Sequence, residues 1–186
     1  MLRLLSRLTL AALGWRFFEP SEPRPPKAVL IEYPHTSNWD AFYGLLTNFA
    51  LGADIHWMAK DTAFRWPFGG IMKRLGGVPV NRRERTNVVT QMIEEFSRRE
   101  RFVLGITPEG TRSRTEGWKS GFYRIACAAN VPLAIGVIDF ARKEAGIVAY
   151  LALTGDRERD LQRIAALYAG RAGKHPALAS PIRWLD

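Results

Sequence analysis

The chain has 186 residues, 47% hydrophobic and 24% charged. That length suits one domain with a sizeable core, and that balance excludes a disordered chain. Lys and Arg number 27 against 18 Asp and Glu, a formal charge of +9, which points to anionic partners such as phospholipid headgroups, phosphorylated substrates or nucleic acid. The single cysteine, Cys127, excludes an internal disulfide and a cysteine-rich zinc site.

From Met1 to Phe18, Leu4, Leu8, Ala11, Trp15 and Phe18 recur at helical spacing, with Leu5 and Ala12 widening the stripe and Arg3, Arg7 and Gly14 opposite. This reads as an amphipathic helix. Its arginines leave no apolar run near the roughly 20 residues of a transmembrane span, and no clean cleavage site for a signal peptide follows. Two placements stay open. The helix packs on its own domain, or it lies in a membrane interface with Trp15, Phe17 and Phe18 at headgroup depth.

The four prolines between Pro20 and Pro26 form a short stiff connector. Beyond it, strand-like and helix-like segments alternate. Strands are expected at Ala28–Glu32, Ile55–Ala59, Val78–Asn81, Phe102–Ile106, Leu133–Asp139 and Ile147–Leu153. Helices are expected at Trp39–Leu51 (closed by Gly52), Phe68–Leu75, Thr86–Arg99, Ser120–Ala129 (stopped at Asn130) and Asp156–Ala169. The alternation predicts an α/β fold, a single domain whose central, mostly parallel sheet is flanked by helices, plus the N-terminal amphipathic helix. Cys127 falls in the fifth helix-like run and reads as a small core residue.

Sites in such sheets form where loops leave the carboxyl ends of strands. Three loops there carry reactive groups: Pro34–Asp40, Asn81–Arg85 and Thr107–Trp118. In the first, a neutral His35 imidazole can take a proton from an alcohol once a carboxylate fixes its tautomer. Five residues on one helix separate two side chains by about 500°, whereas facing pairs are three or four apart. His35 and Asp40 therefore meet only if His35 lies in the loop and Asp40 in the first helical turn. Ser37-x-x-Asp40 also reads as a capping box, and one carboxylate could serve both purposes with one oxygen each. His56 and His175 have no comparable setting and read as structural or surface residues.

The third loop, Thr107-Pro-Glu-Gly-Thr-Arg-Ser-Arg114, combines a proline turn, a glycine, hydroxyls and arginines. Glycine lets backbone N–H groups approach an anion, and arginine grips phosphate oxygens in pairs; a charged surface turn is the other reading. Arg82, Arg83 and Arg85 form a further basic loop that also reads as a solvated charge run. Signatures of serine hydrolases, nucleotide-binding loops and zinc proteases are absent from the sequence.

Taken in order, these blocks resemble the glycerolipid acyltransferase family typified by 1-acyl-glycerol-3-phosphate acyltransferase. His35-x4-Asp40 matches its His-x4-Asp motif, Gly77-Val-Pro-Val-Asn-Arg82 its second block, Pro108-Glu-Gly-Thr-Arg112 its third, and Val131-Pro-Leu133 the start of its fourth. Thr107 and Ile135 depart from the family pattern. With the amphipathic helix at 1–19 read as a membrane-interface helix, the resemblance implies an acyltransferase domain at 27–186. It implies His35 as general base, oriented by Asp40, with Arg82, Gly110, Thr111 and Arg112 holding an anionic acceptor. Glu109 is carried over as a site residue whose carboxylate would hold Arg82 or Arg112 in place. Neither a metal nor a cofactor is implied; the co-substrate is acyl-CoA or acyl carrier protein. The expected partners are a lysolipid acceptor and an anionic membrane surface, on the cytoplasmic side as a peripheral protein. The near rivals keep the fold and either acylate another hydroxylated lipid or a metabolite, or use water as acceptor as a thioesterase does. A non-catalytic binder of nucleic acid or anionic surfaces is the distant one, disfavoured because the basic residues are scattered and no recognition motif accompanies them.

Overall fold

The computed structural model describes residues 1–65, 67, 69–80 and 85–186. Helix α1 spans Leu2–Ala12 and is followed by strands β1 (Arg16–Phe18) and β2 (Lys27–Glu32), helix α2 (Trp39–Leu51) and strand β3 (Ile55–Lys60). Next come α3 (Gly69–Arg74), β4 (Gly77–Val80), α4 (Arg85–Arg98), β5 (Phe102–Ile106) and α5 (Gly121–Ala128). Strands β6 (Leu133–Asp139) and β7 (Glu144–Leu151) precede the last helix, α6 (Arg157–Tyr168). The strands form one seven-stranded sheet in the order β1-β7-β6-β2-β5-β3-β4, antiparallel only between β6 and β7.

Strands at the centre of such a sheet are covered on both faces and read as unbroken apolar runs. Ala28 to Ile31 of β2 and all seven residues of β6 are buried. Alternation divides them between the faces. Val29, Ile31, Leu104, Leu133 and Ile135 join Met92, Phe96, Phe122, Ile125, Leu161 and Ile164 in the main core, which α4, α5 and α6 cover. On the other face, Ala28, Leu30, Val103, Ala134 and Ile147 form a smaller cluster. Beside it, Leu10, Trp15, Ala50, Ile138 and Ala145 join α1 and α2 to the sheet.

The end of the chain departs from its simplest reading as a helix up to Phe18. Helix α1 stops at Ala12, Gly14 turns at φ +73°, and Arg16–Phe18 pair in parallel with β7. Trp15 is buried and stacks on Tyr43 with ring centroids 3.9 Å apart, so it is not at headgroup depth; Phe17 and Phe18 pack against the cores. The helix sits on α2 and buries Ser6 and Leu10. Arg3 and Arg7 each donate through Nε to the Ala50 carbonyl, at 3.3 and 3.0 Å. Arg24 Nη1 donates to the Gly52 carbonyl at 2.7 Å. These guanidinium groups cover the C-terminal carbonyls of α2, where orphan acceptors and the helix dipole favour positive charge. Four leucines face outward, Leu4 being 64% exposed and Leu2, Leu5 and Leu8 similarly so, while Leu10 is buried.

Helix α5 is where the sequence places it, and Asn130 follows it at φ +51°. Its inward residues are Phe122, Tyr123, Ile125 and Ala126, which turns the adjacent Cys127 outward; the cysteine is exposed and is not a core residue.

Candidate active site

From β2 the chain steps outward to β3 and β4, returns to β5, and then crosses β2 to reach β6. The connections thus change direction beside β2, the position at which open parallel sheets form clefts. Register pairs Leu30 with Gly105 and Ile31 with Ile106. The loop after β2 and the loop after β5 therefore leave the sheet side by side, bringing together His35 and Glu109, 74 residues apart in sequence.

His35 lies in the loop, and Asp40 sits in the first turn of α2. The imidazole is 12% exposed, and its Nδ1 is 3.2 Å from Asp40 Oδ2 and 3.0 Å from Glu32 Oε2. Neither oxygen is aligned with the ring N–H for a hydrogen bond, so both contacts are of ion-pair type. The Nε2 side makes no hydrogen bond among the described residues. Burial opposes charge on this ring, but the contacts to Asp40 and Glu32 outweigh it and raise the His35 pKa to about 9. Glu32 is pushed up as well, by burial first, with His35 opposing.

Asp40 is 2% exposed, and its Oδ2 also accepts the backbone N–H groups of Thr36 and Ser37, at 2.8 and 2.9 Å. Ser37 Oγ accepts the Trp39 N–H at 3.2 Å. The carboxylate thus closes the helix start and faces the imidazole, but with the same oxygen for both; Oδ1 is buried without a partner. This differs from one oxygen for each purpose. The shared oxygen follows from the tight turn, which folds the Thr36 and Ser37 amides and the ring of His35 around a single point.

Glu109 is 1% exposed and holds backbone, not arginine. Its Oε2 accepts the His35 N–H at 2.7 Å, and its Oε1 accepts the Ser180 N–H at 2.8 Å. The expected grip on Arg112 is not present, because Arg112 points into solvent while Glu109 faces inward between two chain segments. Gly110 adopts φ +67°, a conformation that suits glycine, and its N–H closes a turn onto the Thr107 carbonyl at 3.0 Å. Thr111 Oγ1 accepts the Ser113 N–H at 3.3 Å. Gly110 and Arg112 are exposed, and Arg112 has no partner among the described residues. Arg82 lies outside the described residues. His56 lies in β3 and its Nδ1 contacts the Asp54 carbonyl just before the strand, and His175 is exposed.

A model of the acyltransferase family matches residues 17–138. The chain belongs to the acyltransferase family. Its fold is similar to the crystal structure of the 1-acyl-sn-glycerophosphate (LPA) acyltransferase PlsC from Thermotoga maritima, with a TM-score of 0.58 over 92% of this chain and 80% of that one, at 18% identity. Among curated proteins no sequence matches.

Two parts of this candidate site are not marked in the sequence. One is Glu32, which ends a buried strand and which only the turn at Pro34 carries back onto His35; a carboxylate closing an otherwise apolar strand was the available signal. The other is the C-terminal tail. His175 N–H donates to Thr36 Oγ1 at 3.1 Å, Tyr33 Oη to the Ser180 carbonyl at 3.0 Å, and Trp118 N–H to the Arg183 carbonyl at 2.7 Å. A Cβ on Gly173 would stand 2.5 Å from Thr36 Oγ1, so the tail approaches the loop only because that residue is glycine. Glu32, His35 and Asp40 bring donor atoms within 4.8 Å of one another, the density of a small cation site. Asp40 Oδ2, however, already accepts two backbone N–H groups, which occupy the lone pairs that a cation would need.

Proposed function

We propose that this protein moves a fatty acyl group from acyl-CoA or acyl carrier protein to a hydroxyl of a lysophospholipid such as 1-acyl-glycerol-3-phosphate, with His35 as general base. The observation that carries this reading is the imidazole at the switch point of the sheet. Its Nδ1 is held between carboxylates and its Nε2 is left for the acceptor. In the reaction, the acceptor oxygen attacks the thioester carbonyl carbon while its proton passes to Nε2. The tetrahedral intermediate then collapses, the carbon–sulfur bond breaks, and the departing thiolate takes the proton back. No acyl-enzyme forms. Gly110, Thr111, Arg112 and Arg82 are the residues assigned to the acceptor's phosphate. The exposed turn of the first three is consistent with a site completed by its ligand.

A bilayer-borne acceptor suits the surface around the site. The outward leucines of α1 run toward Leu13, and the exposed Trp39 and Phe42 lie at the start of α2. Between them is a cavity of about 340 Å³ lined by Trp15, Trp39, Tyr43 and Phe140, with Lys143 and Lys174 at its edge. The exposed Trp39, Phe42 and Leu13 beside these lysines fit the headgroup region of an anionic leaflet, with the buried Trp15 as the floor of the cavity. No helix among the described residues is long and apolar enough to cross a membrane, and in this reading the protein is peripheral, on the cytoplasmic side.

The test is to incubate the purified protein with labelled acyl-CoA or acyl carrier protein and vesicles of phosphatidylglycerol carrying lysophosphatidic acid. Labelled phosphatidic acid is expected. Free fatty acid formed at the same rate with and without acceptor would instead identify a thioesterase and overturn the proposal.

A further inference from the structure

Asp40 and Glu32 both face His35 Nδ1, but they are held differently. The Asp40 oxygen at the ring also receives the Thr36 and Ser37 N–H groups, so the helix start would hold this carboxylate in place without the histidine. Glu32 has no such second occupation. Its Oε2 lies 3.0 Å from Nδ1, its Oε1 is buried without a partner, and His35 is the group it pairs with among the described residues. A carboxylate at the end of a buried strand costs desolvation free energy unless a charged partner offsets it. Here that partner is the imidazole.

We propose that Glu32 is a positioning residue for acyl transfer, a second carboxylate that holds the His35 ring and stabilises the imidazolium formed when the acceptor hydroxyl gives up its proton. The inference rests on the reading of His35 as general base. In the base form the Nδ1 proton stays between Glu32 and Asp40 while Nε2 is empty. Proton uptake at Nε2 places one positive charge against two carboxylates, and release of that proton to the leaving thiolate restores the starting state.

The surrounding groups are consistent with this. Burial, with Asp40 and Glu109, raises the Glu32 carboxyl, and His35 is the group that opposes them and favours its charged form. Tyr168 of α6 sits over the same end of β2, its Oη donating to the Ile31 and Gly136 carbonyls at 2.8 and 3.0 Å, and its phenol is raised by burial and by Glu32. The neighbouring Tyr33 is raised by burial and by Glu109. Both phenols are thus kept neutral and add no charge beside Glu32 and the imidazole.

The test is Glu32→Gln, which keeps the shape and removes the charge, with two readouts. In the resting protein, imidazole NMR should show the His35 midpoint falling by about one pH unit or more from the parent value. In acyl transfer to lysophosphatidic acid, the acidic limb of kcat/KM should move down in parallel, and the plateau rate should fall. An identical His35 midpoint in parent and variant overturns the proposal. So does a parent midpoint in the ordinary imidazole range, a measurement that stands even if the variant does not fold. A purely structural Glu32 would lower the melting temperature and leave the limb where it was. Absence of transfer in the parent, with the midpoint still moved by Glu32→Gln, would defeat the base role of His35 and leave the contact intact. Active transfer with an unmoved limb would defeat Glu32 alone.

Discussion

The two loops that carry the longest motifs are built in opposite ways. In the loop from Pro34 to Asp40, polar groups are buried and met within the protein, the Thr36 and Ser37 amides by Asp40, the His35 amide by Glu109 and the imidazole by Glu32 and Asp40. In the turn from Gly110 to Arg112, the backbone is set by one closing hydrogen bond, and the arginine stands in solvent. The contrast matches two demands. A proton-transferring group gains from being fixed before substrate arrives, whereas an anion-binding arginine gains from keeping its donors unpaired until the anion is there. Glu109 joins the two, one residue before the open turn and bonded into the closed loop.

This division predicts effects of different kinds. The largest belongs to the closed loop: His35→Ala should reduce kcat by about a hundredfold to ten-thousandfold with an unchanged circular dichroism spectrum, and equal turnover by parent and variant would break the assignment. The pH profile comes next. In the proposed mechanism the neutral ring is the active form; its folded pKa is raised, so kcat/KM should climb about tenfold per pH unit until it levels near pH 9. A profile already flat at neutral pH would show that the ring does not carry the charge the contacts favour.

Glu109→Ala should cost stability and activity together, because it leaves two buried N–H groups unmet; about 2–4 kcal/mol is expected in urea unfolding. Arg112→Ala should show the opposite pattern. Its melting temperature should stay at the parent value, while KM for a phosphorylated acceptor rises about tenfold. Loss of stability without loss of affinity would place Arg112 in the scaffold and end the contrast.

The smallest effect tests how far exposure governs these outcomes. Replacing Leu4 and Leu8 together by Ser should change folding stability by less than about 1 kcal/mol, since neither side chain is buried. Sedimentation with phosphatidylglycerol vesicles should fall markedly for that variant. A stability loss of several kcal/mol would mean that the leucines pack within the protein after all.

Much of the scaffold is legible in the residues themselves. The ends of α2 follow from the Ser37-Asn38 start and Gly52, which adopts φ +64°, and Asn130 closes α5 in the same left-handed region. Apolar runs such as Leu133–Ile138 declare a strand covered on both faces. The short strand β1 was not legible, because three residues carry no period and Arg16–Phe18 is held by pairing with β7, more than a hundred residues away.

By itself the sequence determined the alternation of elements, the order of the motif blocks and the requirement that His35 precede the helix carrying Asp40. Those features are local, fixed by propensity, capping and spacing within a few residues. Tertiary structure alone decided that Glu32 joins Asp40 at the imidazole, that Glu109 bonds backbone and not Arg112, and that α1 turns Leu2, Leu4, Leu5 and Leu8 outward while burying Leu10. Each depends on which strand lies beside β2 or on which carbonyls α2 leaves unmet. Such contacts are set by register and burial between segments far apart along the chain, and periodicity does not record them.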